Sequence, residues 1–118
     1  MTASAEEMVR VERDGATTWL VLDAPDRLNS FTRSGYRELT AAVDAASSDS
    51  DVRVVVITGT GRAFTAGADR SLFDGTATRE ERVGTEVDFR AMIEAIAACS
   101  KPVLAAVNGL AVGIGATL

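Results

Sequence analysis

The chain has no histidine. That removes Ser-His and Cys-His nucleophile pairs, and histidine metal sites, from these 118 residues. There is one cysteine, so no internal disulfide can form; Cys99 sits in an apolar helical pattern and reads as a buried, inert thiol. Basic residues are outnumbered, 12 to 17, and scattered, which leaves a net charge of −5 and argues against nucleic-acid binding. No apolar run approaches the roughly 20 residues that a membrane helix requires. Residues 1–8 are polar and acidic and do not read as a signal peptide, so a cytoplasmic protein is expected. Internal repeats and low-complexity tracts are lacking. What is present is an apolar fraction of 47%, enough for the core of one domain at most.

The chain is organised around residues 52–69. Val54-Val55-Val56-Ile57 is a short, β-branched run ended by Thr58-Gly59, the pattern of a parallel strand buried on both faces. A glycine-punctuated loop follows, with Gly59, Gly61 and Gly67, and Asp69 is placed to cap a short helix through Leu72 and Phe73. Small residues let a main chain approach a ligand closely, and the carboxyl end of such a strand is where α/β sheets bind ligands. The loop is therefore either a main-chain binding site or a plain connection. It is not a P-loop, because no Lys-Ser or Lys-Thr follows Gly67. Nor is it a dinucleotide fingerprint, because Phe64 stands where the third glycine belongs.

Before this stretch, residues 8–13 alternate, Asp14-Gly15 signals a turn, and residues 17–22 are β-rich around Trp19. Pro25 ends that hairpin. Residues 26–31 form a loop whose one cation, Arg27, reads by itself as a solvated surface charge. Thr32 or Ser34 can cap a helix whose apolar face is Tyr36, Leu39, Val43 and Ala46, ended by Ser47-Ser48-Asp49. After Asp69, residues 75–85 read as a solvated lead into a second helix. Its apolar face is Val87, Phe89, Met92, Ile93, Ile96 and Ala97, with Glu86, Asp88 and Glu94 on the solvated side. Residues 103–107 read as a second buried strand. Asn108-Gly109 turns the chain, and Gly113-Ile114-Gly115 opens a helix with free amides. Helix and buried strand alternate, so the fold class is α/β.

If the two strands are neighbours, both glycine loops lie at one edge of the sheet. Two amides converging from two loops make an oxyanion hole, which stabilises the enolate formed when a proton leaves the carbon beside a thioester. Otherwise the glycines serve only close helix–strand packing.

Residues 63–69 (AFTAGAD) and 101–118 (KPVLAAVNGLAVGIGATL) resemble the two signature segments of the crotonase, or enoyl-CoA hydratase/isomerase, superfamily. Residues 26–31 (DRLNSF) resemble its early loop, with Leu28-Asn29 matching the common Leu-Asn pair. The resemblance implies a crotonase-like ββα spiral core, with residues 1–118 forming the N-terminal part of a single domain, incomplete at the C-terminus. It implies oxyanion donors at the amides of Ala68 and Ile114. It places Ala66, with the backbone at Arg27 and Leu28, where the family holds the CoA adenine, beside Ala68; Arg27 is then set to meet a CoA phosphate. Asp69 is expected to orient its loop and not to act as a base. No metal and no cofactor are implied, since CoA is carried by the substrate. The implied partner is an acyl-CoA thioester, with neither nucleic acid nor membrane, and the full-length protein is expected to be a homotrimer or hexamer.

Two positions depart from the family pattern. Ile114 stands where the middle of the Gly-x-Gly turn is commonly glycine; its amide remains a donor provided φ stays negative. Thr117 stands where the family's hydratases carry a glutamate, and threonine is no general base near pH 7 without a partner. Isomerase-like chemistry, with a carboxylate from beyond residue 118, is expected over two-glutamate hydration. The alternative is a non-catalytic acyl-CoA-binding or interaction module. Hydrolysis, dehalogenation or decarboxylation of another acyl-CoA uses the same hole. Residues 75–85 are expected to help define the acyl pocket.

Overall fold

The computed structural model describes residues 7–118. The reading of residues 1–6 as something other than a signal peptide lies outside the described residues. Strands β1 (Val9–Asp14) and β2 (Thr17–Leu22) form the expected antiparallel hairpin, with Gly15 at φ +60° in its turn. β1 is mostly exposed, whereas β2 buries Leu20, Val21 and Leu22. A 3-10 turn at Pro25–Arg27 leads to helix α1 (Arg33–Ser48), capped by Thr32, whose side chain accepts from Gly35 N at 3.1 Å. Tyr36, Leu39, Val43 and Ala46 are all buried, as their spacing requires.

Strand β3 (Val54–Gly59) pairs parallel with β2, and its Val55, Val56 and Ile57 are buried. A three-residue strand β4 (Ala63–Thr65) follows, then a 3-10 turn at Arg70–Leu72 capped by Asp69. Helix α2 (Arg79–Ala98) leads to strand β5 (Val103–Ala106), strand β6 (Leu110–Ala111) and a single helical turn, α3 (Ile114–Thr117). The main sheet runs β1-β2-β3-β5, with β5 parallel to β3, and β4 pairs parallel with β6 in a separate small sheet. The core gathers Leu20, Leu22, Phe31, Leu39, Val43, Val55, Ile57, Phe64 and Met92.

The structure corrects five expectations. β5 is not a buried strand: it is the outer strand of the sheet, and Leu104 is 55% exposed. The apolar run that suggested a two-sided interior position has a neighbour, β3, on one edge only among the described residues. α2 does not bury its apolar face; only Met92 is fully inside, and Val87 is 61% exposed. α2 also starts earlier than expected, inside the stretch read as solvated, because Thr78 and Glu81 form a reciprocal capping box. Asp88 does not face solvent. It reaches α1, where its Oδ2 accepts from Arg33 Nε at 2.9 Å and pairs with the Arg37 guanidinium, whose Nε lies 3.1 Å away. Cys99, expected to be buried, is half-buried.

Candidate active site

The first glycine loop is held by the 26–31 segment. Phe31 forms a parallel bridge with Ala68: its N–H donates to Gly67 O at 2.7 Å and its carbonyl accepts from Asp69 N at 2.8 Å. In such a bridge the bonds come from the neighbours of the bridged residue, so the N–H of Ala68 points away from Phe31. Among the described residues it has no acceptor. Ala66 differs, since its N–H donates to Leu28 O at 2.9 Å.

Beneath this bridge lies Asn29, fully buried. Its Oδ1 accepts from Ala24 N at 2.8 Å, and its Nδ2 donates to Thr60 O and Ala63 O, both at 3.0 Å, and to Phe64 O at 3.2 Å. Leu28 and Asn29 both adopt positive φ, +58° and +55°, a conformation asparagine tolerates and leucine rarely enters. Asp69 closes the loop, accepting from Ser71 N at 3.0 Å and from Ser30 Oγ at 2.6 Å. Burial alone pushes its carboxyl upward. The bonds from Ser30 and Ser71, with the Arg27 charge nearby, outweigh that and hold it below the usual carboxylate range.

The second loop meets the first through main-chain contacts. Val112 N donates to Thr65 O at 3.1 Å, and Leu110 N to Arg62 O at 3.4 Å. Asn108 donates through Nδ2 to Ala63 O at 2.9 Å, the same carbonyl that Asn29 grips from the other side. Gly67 has φ +92°, and a Cβ there would lie 2.8 Å from Val112 O, so glycine is required both by conformation and by closeness. At Gly115 a Cβ would lie 2.5 Å from Thr65 O. Close packing against β4 therefore requires glycine at this position. Ile114 begins α3 with negative φ, and its N–H, in the first turn, has no acceptor among the described residues.

Both loops open onto one cavity of about 640 Å³. Ala66, Gly67 and Ala68 line it from the first loop, and Gly113, Ile114 and Thr117 from the second. Tyr36, Leu72, Phe73 and Phe89 form an apolar wall, with Arg82, Thr85 and Glu86 from α2 completing the lining. The structure thus brings together Ala66, Ala68, Ile114 and Thr117. Arg27 and Leu28 are not in this lining. Arg27 is only part-exposed, donates through Nε to Ser30 O at 3.1 Å, and lies 3.7 Å from Asp69 Oδ2. Sequence reasoning missed Asn29 as the tie, Tyr36 as a wall residue, and Glu86 as a cavity neighbour. The T-x-x-E spacing at Thr78–Glu81 was the available signal that α2 begins early enough to bring Arg82 and Glu86 there.

The class this defines is an α/β fold in which two strand-following loops line one largely apolar cavity. The sequence pattern of the enoyl-CoA hydratase/isomerase family matches residues 12–118, and the chain belongs to that family. It is 40% identical over 112 residues to a protein of Rhodobacter capsulatus named as a probable enoyl-CoA hydratase, covering 93% of this chain and 42% of the relative. It is 34% identical to the 1,2-epoxyphenylacetyl-CoA isomerase of Escherichia coli, covering 84% and 38%. The crystal structure of an enoyl-CoA hydratase/isomerase from Mycobacterium paratuberculosis superposes with a TM-score of 0.83 at 39% identity, over 92% of this chain and 44% of that one. The chain spans about two fifths of the length of these relatives.

Proposed function

We propose that this chain supplies the thioester-binding half of an acyl-CoA enzyme that stabilises an enolate. The amides of Ala68 and Ile114 donate to the thioester oxygen as negative charge develops on it. One observation carries this reading: both amides lack an acceptor among the described residues and both residues line the same cavity. A donor aimed at developing charge in a site sheltered from water is typically worth roughly 10²–10³ in rate. The CoA adenine end lies at Ala66 and the backbone of Arg27 and Leu28. Arg27 holds Asp69 and the Ser30 carbonyl, which orients the loop that carries Ala68. CoA enters as part of the substrate.

Isomerase-like chemistry is favoured over hydration, because the cavity position that a hydratase fills with glutamate holds Thr117. The base that moves the proton is a carboxylate from beyond residue 118. Assembly as a homotrimer or a pair of trimers belongs to the same proposal and rests on the family; a cytoplasmic location is proposed from the polar, acidic character of residues 1–8. Among the described residues no helix is long and apolar enough to cross a membrane.

The test is Ala68→Pro in the protein that carries this chain, assayed for crotonyl-CoA hydration and 3-enoyl-CoA isomerisation. Turnover should fall by roughly 10²–10³ with the fold retained, since the deleted N–H has no acceptor among the described residues. An unchanged rate overturns the assignment of that amide. Thr117→Glu separates the chemistries: added hydration with isomerisation retained marks a second carboxylate already in place.

A further inference from the structure

The cavity wall contains one polar side chain whose presence packing does not explain. Tyr36 is 2% exposed, and its remaining accessible edge lines the cavity. Its ring stacks on Phe31, centroids 5.1 Å apart and nearly parallel, and meets Phe89 edge-on at 5.7 Å. Phenylalanine would make both ring contacts equally well. The phenolic oxygen has no hydrogen bond within the described residues, yet it is not sealed in, since the buried side-chain oxygen without a partner is that of Thr18. A phenol so placed presents a donor to whatever occupies the cavity.

The donor is also held at a fixed place relative to the amide site. Phe31 is common to both: its main chain brackets Ala68, and its ring carries Tyr36. The adjoining Leu72, Phe73 and Phe89 offer no hydrogen-bonding group. Burial raises the phenol's ionisation range, so it remains a neutral donor at physiological pH.

We infer that the Tyr36 hydroxyl binds an oxygen atom carried by the acyl group, so that the site takes oxygenated acyl-CoA thioesters in preference to hydrocarbon ones. This rests on the acyl-CoA reading above. A hydrocarbon chain that displaces water from the phenol leaves it unpaired in an apolar pocket, whereas an acyl oxygen restores its bond.

The experiment uses the protein that carries this chain and unreactive CoA thioethers. Alkyl and phenylalkyl groups of matched length are compared, each with and without a hydroxyl or keto oxygen. Calorimetric titration of wild type should show at least one oxygenated thioether bound about tenfold or more tightly than its hydrocarbon counterpart. Tyr36→Phe should bring that ratio close to one by weakening the oxygenated ligand alone. Thermal unfolding should be nearly unchanged, since the lost hydroxyl has no partner among the described residues. As a readout independent of the variant, the oxygenated ligand should perturb the near-ultraviolet phenol absorption of the wild type. Binding without discrimination in wild type, or a preference that survives Tyr36→Phe, overturns the role of the hydroxyl and leaves the acyl-CoA reading intact. Failure of every thioether and of free CoA to bind overturns both.

Discussion

The two glycine loops follow the same written pattern, a β-branched or small-residue strand and then closely spaced small residues, but they are held by different means. The first is tied by side chains and main chain of a segment some 35 residues earlier: Asn29 beneath it, Phe31 alongside Ala68, and Ser30 on Asp69. The second follows an exposed outer strand and is fixed through β6, Asn108 and the closeness of Gly115 to β4. One loop is clamped by the buried side chains and main chain of an earlier segment, the other by main-chain bonds to β4, by Asn108 and by the close fit of Gly115. The difference teaches that two loops can be brought to one cavity by unlike scaffolds. The shared joint is the Ala63 carbonyl, which accepts from both asparagines.

The comparison breaks most sharply at Asn29. Asn29→Ala removes the acceptor of the Ala24 amide and a donor from the Thr60, Ala63 and Phe64 carbonyls, of which Ala63 keeps Asn108, and leaves alanine in a left-handed conformation. A loss on the order of 3–5 kcal/mol is expected in urea unfolding. A loss below about 1 kcal/mol refutes the clamp. Next in size is Gly115→Ala, which tests the fit of the second loop. The new methyl meets a main-chain oxygen, so α3 must shift, costing roughly 1–3 kcal/mol. Because the first loop keeps its own ties, thioether affinity should fall more than stability suggests. Equal affinity and stability would mean that this contact does not set the spacing.

The smallest effect concerns Asp69. Its carboxyl is held below the usual range when folded, so its contribution is complete above the unfolded pKa of about 3.9 and is lost as pH falls through the folded value. Asp69→Ala should cost roughly 0.5–2 kcal/mol near neutrality, and the gap from wild type should narrow only below about pH 4. A gap that is constant down to pH 2 assigns the effect to packing instead.

Much of this was legible in the sequence. The 3.6-residue spacing of Tyr36, Leu39, Val43 and Ala46 fixed the buried face of α1, and the unbroken apolar run at 54–57 fixed β3 as interior. The two signature loops pointed to Ala68 and Ile114. Other features were not legible, for identifiable reasons. Residues 103–107 are as apolar as an interior strand, and periodicity cannot say whether a strand has one neighbour or two. Asp88 lies on a helix whose pattern points it outward, until α1 places two arginines opposite.

The sequence by itself determined the α/β order, the caps at Thr32 and Asp69, and where the small residues fall, because these depend on local φ/ψ preference and spacing. Only the tertiary structure decided that Ala68 and Ile114 share a cavity, that Asn29 and Asn108 hold one carbonyl, and that Tyr36 lines the same cavity. Each of those depends on groups tens of residues apart, whose meeting is set by parallel strand register and close packing rather than by any local pattern.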